Sequence, residues 1–194
     1  MSAGIAQVSF LALSAVLVLS EFGLLRLALA VVSPLANMLA SARILTLSYF
    51  GRRKKPDHKT IRVVAATSGA YALATMVYVG GLLLLPPNIG VILFGQLWPG
   101  ARPLLLLAGI AEAIRVAAFP AIDFTKAFRP GSALVTTRIL TGSAFAVGLL
   151  AGGAIAGPSG ALTGLLIAQL VSLIYWLVRL RPQTSITADT GVSP

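Results

Sequence analysis

The chain has 194 residues and a formal net charge of +10, from 15 Lys and Arg against 5 Asp and Glu; 57% of residues are hydrophobic and 10% charged. Soluble chains run nearer 25% charged, so this composition, with a mean hydropathy of +0.93, excludes an ordinary water-soluble domain. Without cysteine, disulfides, thiolate metal sites and cysteine nucleophiles are excluded.

About six stretches are apolar for long enough to cross a bilayer, which takes roughly 20 residues each. The first is Ile5–Ser20, ending at a break over Glu21-Phe22-Gly23. Residues 1–7 carry no Lys or Arg, so the run reads as a span rather than as a cleavable signal. The second, Leu24–Phe50, is longer than a bilayer needs and holds Pro34, which predicts tilt and a kink. A loop over Arg52–Arg62 follows, with six basic residues and one acid. The third span is Val63–Leu85. The segment after Pro86-Pro87, with Phe94 and Trp98, suits a short interfacial helix. The fourth span is Pro103–Ile122, followed by a loop over Asp123–Gly131. The fifth, Ser132–Ala156, turns at Gly157-Pro158-Ser159 into the sixth, Gly160–Leu180. The expected organisation is a six-helix transmembrane bundle over 1–181 and a disordered cytoplasmic tail over 182–194, rich in Ser and Thr.

Lys and Arg cluster in alternate gaps, at Arg52–Arg62, Lys126–Arg129 and Arg179–Arg181. The positive-inside bias therefore predicts both termini in the cytoplasm. Charge placed between spans points to topology rather than to nucleic acid, and the bilayer itself is the first expected partner.

Glu112 and Arg115 stand three apart in mid-span and share one helix face. A charge at that depth faces the bundle interior or a water-filled cavity. The pair either lines a polar cavity for a charged substrate or neutralises itself and locks packing. Arg26, Arg43 and Arg138 lie near span ends. They either snorkel to the surface or line a cleft, where a planar guanidinium suits phosphate. Asn37, Gln169 and Ser172 suit helix–helix hydrogen bonds. Gly148 and Gly152, Gly153 and Gly157, and Gly160 and Gly164 have the four-residue spacing that lets helices approach closely. No phosphate-binding glycine loop, nucleophile elbow or paired catalytic carboxylates occur, so no enzyme is expected. His58 stands in a basic loop with no second ligand beside it, so neither a metal nor a cofactor is expected.

The chain has a Leu19-Ser20-Glu21-Phe22-Gly23 turn, a long helix with Pro34 and a basic loop. A Leu93–Trp98 stretch, a second basic loop with Arg129 and a Gly157–Ala161 turn follow. In this order, over Leu19 to Leu180, it resembles the later part of oligosaccharide-lipid and polysaccharide flippases. Lipid II flippases and multidrug and toxin extrusion transporters share that superfamily. The resemblance implies an all-α polytopic membrane helix bundle of about six transmembrane helices that forms the C-terminal half of a flippase-type fold. It implies a polyprenyl-diphosphate-linked oligosaccharide moved from the inner to the outer leaflet of the cell membrane. Arg115, Glu112, Arg26, Arg43 and Arg138 would then line the cleft. With half the usual number of spans, the expected partner is a second half-transporter or another copy. The competing expectation is a non-transporting scaffold or assembly subunit, or an inactive half.

Overall fold

The computed structural model describes residues 3–15, 17–51, 58–128 and 132–179. The described residues are helical, with no strand among them. In chain order they form α1 (Ala3–Ser14), α2 (Leu19–Gly51), α3 (His58–Leu83), α4 (Pro87–Phe94) and α5 (Trp98–Ala101). A 3-10 turn (Arg102–Leu104), α6 (Leu105–Ala117), α7 (Phe119–Phe128) and α8 (Ser132–Arg179) follow. Four helical stretches are long and apolar enough to cross a membrane: Leu19–Gly51, Lys59–Leu83, Trp98–Phe128 and Thr141–Val178. The Arg52–Asp57 part of the basic loop, Arg129 and the 182–194 tail lie outside the described residues.

The first apolar run is divided differently from the sequence expectation. α1 stops at Ser14, whose hydroxyl donates to the Leu11 carbonyl at 2.7 Å, while the Ala15 N–H turns back to Ala12. Short polar side chains compete with the helical ladder in this way. Twelve residues make a helix about 18 Å long, short of the ~30 Å hydrocarbon core. The break is not at Glu21–Gly23: α1 ends at Ser14 and α2 begins at Leu19, so Glu21 sits in the first turn of α2, where a carboxylate complements the helix dipole.

α2 runs unbroken for 33 residues through Pro34. Proline removes one N–H from the ladder, and neighbouring hydroxyls engage the carbonyls of the preceding turn. Ser33 Oγ donates to Leu29 O at 2.5 Å and also reaches, at 3.3 Å, the Ala30 carbonyl that Pro34 leaves without its N–H, and Tyr78 Oη of α3 donates to the adjoining Val31 O at 2.9 Å. Such side-chain substitutes are what make proline tolerable within a membrane span.

The Trp98–Phe128 path, through α5, α6 and α7, is the most buried of the four stretches. α6 packs against α3, α8 and α2. Gly109 lets Val79 of α3 lie against the α6 backbone, since a Cβ there would stand 2.6 Å from a Val79 methyl. Arg102 Nη2 closes the end of α3 by donating to Leu83 O at 2.7 Å.

α8 reverses direction at Ala156 and Gly157, where Gly157 takes φ +60°. The two arms then run antiparallel, Gly148 against Gly164 and Gly152 against Gly160. This is the turn expected at Gly157-Pro158-Ser159, and it places the glycine spacings of the sequence inside the hairpin.

A large apolar cluster including Leu13, Leu25, Trp98, Leu105, Leu149 and Leu162 fills the end where α1, α5 and the α8 turn meet. A smaller cluster of Phe50, Val64, Ala121, Phe124 and Trp176 joins the opposite end. That second end is where the basic gaps of the sequence fall.

Candidate functional site

Two ion pairs hold the centre and the basic end. Arg115 donates through Nε to Glu112 Oε2 at 2.7 Å and through Nη2 to Oε1. The i,i+3 spacing on α6 brings them together, as the sequence allows. Arg43 of α2 donates through Nε to Asp123 Oδ2 at 2.9 Å and through Nη2 to Oδ1. That bridge joins α2 to α7 across 80 residues. The Asp123 side chain is fully buried and that of Arg43 is 21% exposed, so the guanidinium fork balances the charge of a buried carboxylate.

Asp123 was expected in a loop. It lies in α7 because that helix begins at Phe119 and places Pro120 in its first turn, where no N–H is required. The helix then carries Asp123, Thr125 and Lys126 inward instead of leaving them between spans.

Phe119 ties the two pairs together. Its ring lies 4.5 Å from the Arg43 guanidinium carbon and 5.3 Å from that of Arg115, both within cation–π range. The two arginines are thus within about 10 Å of each other.

Around them is a cavity of about 230 Å³. α2 contributes Arg43, α6 and α7 contribute Arg115, Phe119 and Lys126, and the two arms of α8 contribute Thr141, Gln169, Ser172 and Trp176. Arg43, Arg115 and Lys126 line it, with Asp123 paired to Arg43 and Glu112 to Arg115. A guanidinium has five N–H donors and a side-on carboxylate takes two, so each arginine can hold its partner and still address an anion.

The remaining sequence-predicted residues fall elsewhere. Arg26 sits toward the other end of α2, its guanidinium 6.0 Å from the Phe10 ring and 5.8 Å from the Phe22 ring; it does not line the cavity. Arg138 belongs to α8, and its side chain lies outside the described residues. Asn37 is exposed on α2. Lys126, assigned to a loop by sequence, stands in the last turn of α7 and lines the cavity. Gln169 and Ser172, read as helix glue, line it too. No group of three or more His, Asp or Glu side chains able to hold a metal occurs among the described residues.

No family model matches the chain, and no curated protein or solved structure matches it.

Proposed function

We propose that this chain is one half of a membrane transporter whose cavity receives the anionic diphosphate of a lipid-linked oligosaccharide. The observation that supports this reading is the convergence of Arg43, Arg115 and Lys126 on one cavity inside membrane-length helices. Charged groups at membrane depth are costly and mark substrate paths, and arginine forks suit diphosphate. In this reading six segments cross or enter the bilayer: α1, α2, α3, the α5–α7 path and the two arms of α8. The termini face the cytoplasm of the cell membrane, and a second half or another copy supplies the opposite wall of the cleft.

A scaffold subunit is the second reading. What favours it is that Arg43 and Arg115 are each already matched by a carboxylate of the same chain.

Reconstitution separates them. The chain is placed in liposomes with its completing half, and a fluorescent polyprenyl-diphosphate oligosaccharide is followed between leaflets. Arg115→Lys keeps the charge but loses the fork, so transport falls; unchanged transport in Arg115→Ala leaves Arg115 and Glu112 as a structural ion pair, and no transport by the unaltered chain leaves the scaffold. For topology, cysteines at Lys55 and Asn88 in this cysteine-free chain react with an impermeant thiol reagent from opposite sides. Labelling of both from one side rejects the arrangement.

A further inference from the structure

Arg26 stands outside the cavity and is exposed on α2. Its guanidinium carbon lies 6.0 Å from the Phe10 ring of α1 and 5.8 Å from the Phe22 ring of its own helix. Phe10 meets Phe145 of α8 edge to face at 6.5 Å, and both Phe10 and Phe22 pack on the large apolar cluster. The rings are thus fixed to the bundle, while the charged group they hold is at its surface. Three carboxylates occur among the described residues. Glu112 pairs with Arg115 and Asp123 with Arg43. Glu21 lies beside the α8 turn, where a Cβ on Gly157 would stand 3.8 Å from its oxygens, and its five-residue spacing from Arg26 turns it to another face of α2. Among the described residues, then, the five N–H donors of Arg26 meet aromatic rings and no carboxylate.

The length of α2 sets the depth of this group. From Arg26 to Gly51, the last residue before the run Arg52–Lys55, the helix rises about 37 Å. At an ordinary tilt of ~20° that covers about 35 Å of the bilayer normal, about 5 Å more than the ~30 Å hydrocarbon core. Arg26 therefore stands at the headgroup level of the leaflet away from the basic end. Val18 and Leu19, beyond it, are 67% and 85% exposed. Those apolar side chains draw the bilayer up around Arg26 instead of leaving it in water.

We infer that Arg26, held by Phe10 and Phe22, binds the phosphate of an anionic phospholipid in the leaflet away from the basic end. A phosphodiester has two unesterified oxygens, which a guanidinium fork takes side by side. The two rings limit the freedom of the fork before the lipid arrives, so less is lost on binding. An anionic lipid is preferred to a zwitterionic one because its headgroup carries no ammonium to compete with the guanidinium for the phosphate. α1 packs mainly on α8 and little on α2, so it leaves Arg26 accessible to a headgroup. The site is independent of the transport reading: it stands equally if the chain is a scaffold, and its failure leaves the cavity untouched.

The test uses the full, cysteine-free chain in phosphatidylcholine vesicles. Ala30→Cys, exposed one helical turn from Arg26, carries a bimane fluorophore. Val77→Cys is the control: it is 67% exposed on α3, and its neighbour Tyr78 bonds to Val31 beside Ala30, so the two labels share one depth. Quenching by dibrominated phosphatidylglycerol is compared with quenching by dibrominated phosphatidylcholine. At Ala30 phosphatidylglycerol should be preferred about fivefold, the equivalent of ~1 kcal/mol for one basic side chain at an anionic headgroup. At Val77 the two lipids should quench alike. Arg26→Gln, a change at an exposed position that leaves the core intact, should abolish the preference at Ala30, and millimolar inorganic phosphate should leave it unchanged. Equal quenching by the two lipids at Ala30, or a preference that survives Arg26→Gln, overturns the site. A preference of the same size at Val77 assigns the effect to the overall charge of the chain and also overturns it. Loss of the preference in inorganic phosphate assigns Arg26 to a free anion and overturns the lipid.

Discussion

Where the α8 arms turn and α1 and α5 pack beside them, backbone lies against backbone and apolar side chains fill the remaining space. At the basic end, arginines, carboxylates and one shared phenylalanine ring join α2, α6 and α7, and a cavity is left between these helices and α8. Glycine contacts tolerate no added atom, because a carbonyl on the main chain cannot move aside. Ion pairs at the end of flexible side chains tolerate displacement and can be exchanged for a ligand. One end can serve as a fixed frame and the other as the adaptable part.

Substitutions can break this contrast, and their effects should fall in order. Gly164→Val places a Cβ 1.9 Å from Gly148 O and should be the most damaging, costing about 3 kcal/mol or more by overpacking; loss of the folded peak on gel filtration in mild detergent is the readout. Asp123→Ala should cost about 3 kcal/mol, because it strands Arg43 in a partly buried position. Combining Asp123→Leu with Arg43→Met should recover most of that loss in denaturant unfolding, and a double variant no better than the single one would show that the bridge is more than a charge balance. Glu112→Gln should cost under about 1 kcal/mol, since Arg115 is 35% exposed and the cavity admits solvent. Its effect on anion binding should exceed its effect on melting temperature. Gly80→Ala should be smallest, within about 0.5 kcal/mol, because nothing lies within 4 Å of the added methyl. A loss as large as that of Gly164→Val would refute the claim that close contact at the glycine, rather than the glycine itself, sets the cost.

The membrane class was readable because long apolar runs need no knowledge of neighbours. The Glu112–Arg115 pair was readable for a related reason: its geometry is fixed by one helix. The Arg43–Asp123 bridge was not. Asp123 follows Pro120 and precedes Thr125 and Lys126, a polar stretch at the end of an apolar run that resembles a loop. Only the packing of α7 against α2 turns it inward. A lone acid flanked by Ile122 and Phe124 was the available signal. The hairpin turn at Gly157 was legible from Gly-Pro-Ser. The early end of α1 was not, since Ser14 differs little from the serines that α2 accommodates at Ser33 and Ser41.

The Arg43–Asp123 bridge also bears on how the protein is made. Its two halves are 80 residues apart, and at roughly 5–20 residues per second of synthesis the arginine precedes its carboxylate by about 4–16 s. Through that interval α2 is in place with an unmatched guanidinium. Arg43 lies eight residues before Gly51, the end of α2, or about 12 Å along the axis. An arginine side chain can reach the headgroup region over that distance. The nascent helix can therefore leave its charge at the bilayer surface and draw it inward only when α7 arrives. Final assembly of the cavity then becomes a late, post-insertion event that depends on the completion of the second half of the chain.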